Sequence, residues 1–170
     1  QHRQDLFDNL VATCFYPDPL DCLEFHLALD LALTPRNPFH FLLANHALEM
    51  PFTSRPREAE VLAPYRTPRS SGPPLPEPLR PSPQPRPTVT TLVALNLWLH
   101  QHIAYERREN GDPLPVEATF ARRKGSCRDF AVALAEVLRA HGIAARLVSG
   151  FLWEPGVPLE DRRAGNALHA

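Results

Sequence analysis

Three cysteines occur in the chain, Cys14, Cys22 and Cys127, and the last stands where a thiol can do chemistry. It sits in Gly125-Ser126-Cys127-Arg128-Asp129-Phe130. Ser126 reads as a helix N-cap. Asp129, three residues on, can reach back to the Ser126 backbone N–H as the acidic form of a capping box. Cys127 is then the first helical residue, among unpaired backbone N–H groups at the positive end of the helix dipole. Both features favour thiolate over thiol. A cysteine nucleophile also needs a base within hydrogen-bond reach, a group that orients that base, and donors for the developing oxyanion. The helix supplies part of the last, because the Cys127 N–H points out of its N-terminus. The competing reading makes Cys127 a small first-turn residue packed against a neighbouring strand.

The elements that must position this thiol are legible around it. Phe130, Leu134, Val137 and Leu138 recur at i, i+4, i+7 and i+8 and give the helix one buried stripe, and His141-Gly142 ends it. Thr88 to about His102 predicts an earlier helix, with Thr88 as cap and Val89, Leu92, Val93, Leu97 and Leu99 on its apolar face. Trp98 reads as core, or as a border of the cleft; His100 and His102 read as a solvated helix end. Pro115 to Phe120 begins a short helix, proline suiting its first turn. Arg122-Arg123-Lys124 reads as its solvated end, or as a source of positive potential near the thiol. Ile143 to Leu152 is β-branched and apolar over the length of a strand. Arg146 within it predicts a semi-buried ion pair, with Asp129 as candidate partner.

The first third reads differently. Asn9 to Tyr16 predicts a strand, broken by Pro17-Asp18-Pro19. From Leu23 to Leu31 apolar and polar residues alternate strictly, which predicts a half-buried strand forming an antiparallel hairpin with the first. Cys14 and Cys22 then read as core or edge packing, and His26 as a polar-face residue. Ten of the twenty prolines fall within Pro64 to Pro87. Such a stretch lacks the backbone donors for helix or sheet and predicts an extended, exposed linker; a ligand for a proline-reading module is the sharper alternative. The organisation expected is therefore a β-rich part over 1–63, a linker over 64–87 and a second unit over 88–170.

Composition bounds the function. The 170 residues carry a formal net charge of −1, with no basic stripe to mark a nucleic-acid partner. No apolar run is long enough to span a membrane. An odd cysteine count without CxxC spacing fits neither a disulfide framework nor a zinc site, so no metal and no cofactor is expected, and a reducing cytoplasm is the expected setting.

Gly-Ser-Cys-Arg-Asp-Phe-Ala, then Leu-Arg-x-x-Gly-Ile-x-Ala-Arg-x-Val-Ser-Gly-Phe-Leu, then His-Ala, resembles the core of bacterial transglutaminase-like proteins, of the papain-like superfamily of cysteine peptidases and acyltransferases. The resemblance implies an α+β fold, a papain-like core of helices packed on an antiparallel sheet, preceded by part of a β-rich domain. It implies Cys127 as nucleophile and His169 as base. His169 lies 42 residues after the cysteine, beyond a strand, and can return to the helix start on an adjacent one. The family's third catalytic residue is an aspartate on the next strand. The chain stops before it and begins at Gln1, so it reads as a piece truncated at both ends and nearly inactive alone. Trp98 or Tyr105 is the candidate second oxyanion donor. The implied activity is thiol-dependent acyl transfer on a peptide or protein substrate, by hydrolysis or transglutamination. The alternative is a non-catalytic peptide-binding module on the same fold.

Overall fold

A computed structural model describes residues 2–5, 9–24, 26, 32, 34, 36–69, 75–108, 110–151, 156–158 and 168–169, without the side chains of Leu10, Phe151, Leu168 and His169. The chain divides into two compact units, Gln1–Phe41 and Leu42–Ala170. In the first, β1 (His2–Gln4) and β2 (Leu10–Ala12) pair antiparallel, with His2 opposite Ala12. Asp5 closes the turn by accepting the Asn9 N–H and side-chain amide at 2.9 Å each.

This corrects the expected hairpin. The strand expected over 9–16 stops at Ala12, and Thr13 to Tyr16 carry no regular structure, with Phe15 81% exposed. Among the described residues its partner is 2–4. Within the expected partner, 23–31, Leu23, Glu24 and His26 are irregular and exposed, while Phe25 and 27–31 lie outside the described residues. Cys14 and Cys22 are both exposed, not core or edge packing. The physical reason is shared: alternation stabilises a strand only where a sheet offers a partner and a cover, and a lone pair of three-residue strands is marginal.

The second unit is mixed α+β. In chain order it contains β3 (Glu49–Met50), α1 (Pro56–Arg66), β4 (Arg86–Pro87), α2 (Thr88–His102), β5 (Ala104–Tyr105), α3 (Val116–Arg122), β6 (Lys124–Gly125), α4 (Cys127–Ala140), β7 (Gly150–Phe151) and β8 (Leu168–His169). β3–β4 and β7–β8 are antiparallel pairs, and β5–β6 is parallel. The helices gather around Leu79, Leu95, Leu99, Ile103 and Val137, with Trp98, Phe120, Phe130, Leu134 and Leu138 packed against them. Each such burial contributes about 1.5–3 kcal/mol. The α4 stripe is thus as the sequence predicts. On α2 the buried pair is Leu95 and Leu99, whereas Val93 and Leu97 are exposed. Thr88 does not cap α2: its hydroxyl donates to the Ala47 carbonyl at 2.7 Å and is buried there.

Three further expectations change. Residues 56–66 are helix and not strand; Pro56 starts α1, where its missing N–H costs nothing, and the Arg55 N–H donates to the Glu58 carboxylate at 3.1 Å. The proline-rich stretch is not exposed throughout. A single helical turn over Glu77–Leu79 brings Leu79 to 0% exposure in the core, with Leu75 beside it. Proline removes backbone donors but leaves acceptors: His141 Nε2 donates to the Leu79 carbonyl at 3.1 Å, and Arg80 to that of Leu75 at 2.8 Å. Finally, 143–149 is not strand. Among the described residues only Leu168–His169 offers a partner, and it lies opposite Gly150–Phe151. The Ala145 N–H instead donates to Tyr65, and its carbonyl accepts from Arg139.

Candidate active site

Cys127 is the first residue of α4 and is half-buried. The backbone leading to it is set by β5 and β6. The Ala104 N–H donates to the Arg123 carbonyl and the Glu106 N–H to that of Gly125, both at 2.8 Å. Tyr105 therefore lies opposite Gly125, two residues ahead of the cysteine. Gly125 is required by close approach: a Cβ there would sit 2.8 Å from the Asp129 Cβ, against a packed helix rather than a movable side-chain end. Ser126 follows, buried and extended, and turns the chain into α4.

Asp129 holds this corner together. It is 1% exposed and its carboxylate accepts four hydrogen bonds. Oδ2 takes the Ser126 N–H at 2.7 Å and its hydroxyl at 2.9 Å; Oδ1 takes the Leu114 N–H at 2.7 Å and the Arg108 guanidinium at 2.6 Å. Burial alone pushes such a carboxyl up. The backbone N–H groups of Leu114 and Ser126, the Ser126 hydroxyl and the Arg108 charge outweigh it and hold Asp129 below the ordinary aspartate value. The capping box is thus as the sequence predicts, but the ion pair is not. Arg108, not Arg146, faces Asp129, and Arg146 is exposed.

Arg108 and Arg128 then bind the loop that crosses the start of α4. Arg108 Nη1 donates to the Asp112 carbonyl at 2.7 Å. Arg128 donates to the carbonyls of Gly111 and Arg108 at 2.6 and 2.7 Å. Arg128 and Asp129, the two residues after Cys127, are consequently tied to described residues of one loop, 106–114. Sequence reasoning missed both arginines. The signal available was a buried acid at a helix start, which demands a cation but does not say which of many arginines supplies it.

The other candidates are placed as follows. Trp98 is half-buried and packs on the core; its ring stacks on His102 with centroids 4.1 Å apart and 8° between planes, while His102 Nδ1 donates to the Trp98 carbonyl at 2.8 Å. Tyr105 is exposed on β5. The backbone of His169 pairs with Gly150, and its side chain lies outside the described residues. A cavity of about 320 Å³ opens on another face of α4, between Val132, Glu136, Arg139 and Val116, and Cys127 is not among its walls. The Glu136–Arg139 pair beside it, 2.7 Å apart, is consumed in tying α4 to Arg69, Tyr65 and Ala145. Among the described residues no three His, Cys, Asp or Glu side chains are grouped to hold a metal ion, and no helix is long and apolar enough to cross a membrane.

Comparison with known proteins adds to this geometry. A family profile described as the transglutaminase-like superfamily matches residues 81–170, which include α2, the 106–114 loop and α4. Uncharacterized proteins of Mycobacterium bovis and of two Mycobacterium tuberculosis strains are 35% identical over 86 residues. Each alignment covers 50% of this chain and 27% of the relative, so the chain matches about a quarter of those proteins' length. No solved structure matches.

Proposed function

The chain belongs to the transglutaminase-like superfamily, and on that premise we propose that it serves thiol-dependent acyl transfer on peptide or protein amides. The observation that carries this reading is the setting of Cys127: first residue of a helix, half-buried, in a turn fixed by a four-bonded buried carboxylate. A nucleophile must be held in one geometry to react, and this turn supplies that. Cys127 Sγ attacks the amide carbonyl and forms a C–S bond, while the Cys127 N–H faces the developing oxyanion. His169 is the base and then gives its proton to the leaving amine as the C–N bond breaks. Water or a second amine attacks the thioester, and the C–S bond breaks in turn. The same reading gives residues 88–170 a papain-like core. All three cysteines are free, which fits a reducing setting such as the cytoplasm, where the thiol is preserved.

The test is release of ammonia or amine from glutamine-containing peptides by the full-length protein, its Cys127→Ala form and its His169→Ala form. Each variant is expected to lose at least about 10³-fold in turnover. Equal turnover by the protein and Cys127→Ala would remove the nucleophile. A protein that binds such peptides without turning them over would be a binding module instead.

A further inference from the structure

Among the described residues, three cations close to Cys127 in the sequence, Arg123, Lys124 and Arg128, have no carboxylate partner. Arg122 is paired with Glu106 at 3.2 Å, and Arg108 with Asp129 at 2.6 Å. Arg123 and Lys124 are exposed and, among the described residues, their side chains make no ion pair or hydrogen bond. Arg128 is half-buried, and its two hydrogen bonds go to carbonyl oxygens of Arg108 and Gly111. Those bonds orient the guanidinium but leave its charge whole, and two bonds use only part of its five donors.

The spacing makes this local. Arg128 is adjacent to the thiol. Lys124 is three residues before it, so its Cα lies within about 11 Å of the Cys127 Cα, and that of Arg123 within about 14 Å. Those limits exceed the screening length of about 8 Å at physiological salt but lie within that of about 30 Å at roughly 0.01 M, so the effect is read at low salt. The α4 dipole adds positive potential at the same end. The chain as a whole carries −1, so any preference for an anion at the thiol is a local effect. A solvated helix end would account for exposed arginines, but it does not account for Arg128, which follows Cys127 in α4 and is held by two carbonyls of the 106–114 loop.

We propose that the site takes an acidic peptide, with a carboxylate beside the reacting amide, and that Arg123, Lys124 and Arg128 select it. This rests on the acyl-transfer reading above. The Cys127 thiol can be probed with two alkylating agents of nearly equal size, neutral iodoacetamide and anionic iodoacetate, using Cys22 as an internal reference. Cys22 is exposed and has Asp18, Asp21 and Glu24 close in sequence. Rates are read at each cysteine by mass spectrometry at one pH and low salt. The iodoacetate-to-iodoacetamide rate ratio is expected to be about tenfold higher at Cys127 than at Cys22, and to converge with it in molar salt. An Arg123→Gln/Lys124→Gln double variant should lower the Cys127 ratio about three- to tenfold, since each exposed charge is worth only a few-fold. In parallel, glutamine peptides flanked by Glu should exceed those flanked by Lys about tenfold in kcat/KM. Equal ratios at the two cysteines, with no preference between peptides, overturn the charge selection and leave acyl transfer standing. Iodoacetamide labelling of Cys127 no faster than that of Cys14, with no peptide turned over, overturns both.

Discussion

Cys14 and Cys22 differ from Cys127 less in residue type than in what surrounds them. The first two lie in the Gln1–Phe41 unit, are exposed, and belong to segments without regular structure. Cys127 lies where α4, β6 and the 106–114 loop are bound together by Asp129, Arg108 and Arg128. A thiol in the first setting has no helix or ladder around it to fix its backbone; in the second its backbone is determined several times over. Pre-organisation, not thiol chemistry as such, is what separates a candidate nucleophile from a surface cysteine.

The contrast breaks most directly at Asp129. Asp129→Ala leaves the Ser126 and Leu114 N–H groups and the Arg108 charge without their acceptor. A loss of about 3–5 kcal/mol in urea unfolding is expected. Cys127 alkylation should then approach that of Cys14. A loss below about 1 kcal/mol would mean that the carboxylate does not hold the corner. The same group sets an acid limb. Its folded-state pKa lies below the unfolded one, so its stabilisation is complete above the ordinary aspartate value and fades as pH falls through the lower folded value. In Asp129→Asn the steepening of unfolding below about pH 4 should be reduced.

A second comparison tests where the core begins. Leu79 is fully buried although it lies among prolines, whereas Leu20 in the first unit is exposed. Leu79→Ala is expected to cost about 2–5 kcal/mol, and Leu20→Ala to stay within about 0.5 kcal/mol. Similar costs for the two would place the proline-rich stretch outside the core. The smallest expected effect is that of Cys14→Ser with Cys22→Ser, within about 0.5 kcal/mol of the parent; a cost above about 1 kcal/mol would show that these thiols are packed after all.

The helices α2, α3 and α4 were legible because their signals are local, whereas α1 was read as part of a β-rich stretch. A serine and an aspartate three apart, an apolar stripe at 3.6-residue spacing and a glycine with φ of +75° at the end define α4 within sixteen or so neighbouring residues. Thr88–His102 has the predicted bounds for the same reason, since hydrogen bonds four residues apart need nothing from elsewhere. The capping box also placed Cys127 at its helix start. It did not identify the partners.

What only the tertiary structure decided is pairing over distance. The apolar run at 143–149 states a preference for strand, but a ladder forms only where another segment arrives in register. Leu79 enters the core because neighbouring helices leave it a place and because His141 accepts the job of satisfying its carbonyl, neither of which proline content reveals. Arg108 rather than Arg146 neutralises Asp129 because the 106–114 loop folds over the start of α4, twenty-one residues away along the chain. The sequence by itself determined α2, α3 and α4 and the thiol's place at the start of α4, but not α1. The folded chain decided which charges and carbonyls meet there, because that depends on how far-separated segments pack and not on any pattern within one of them.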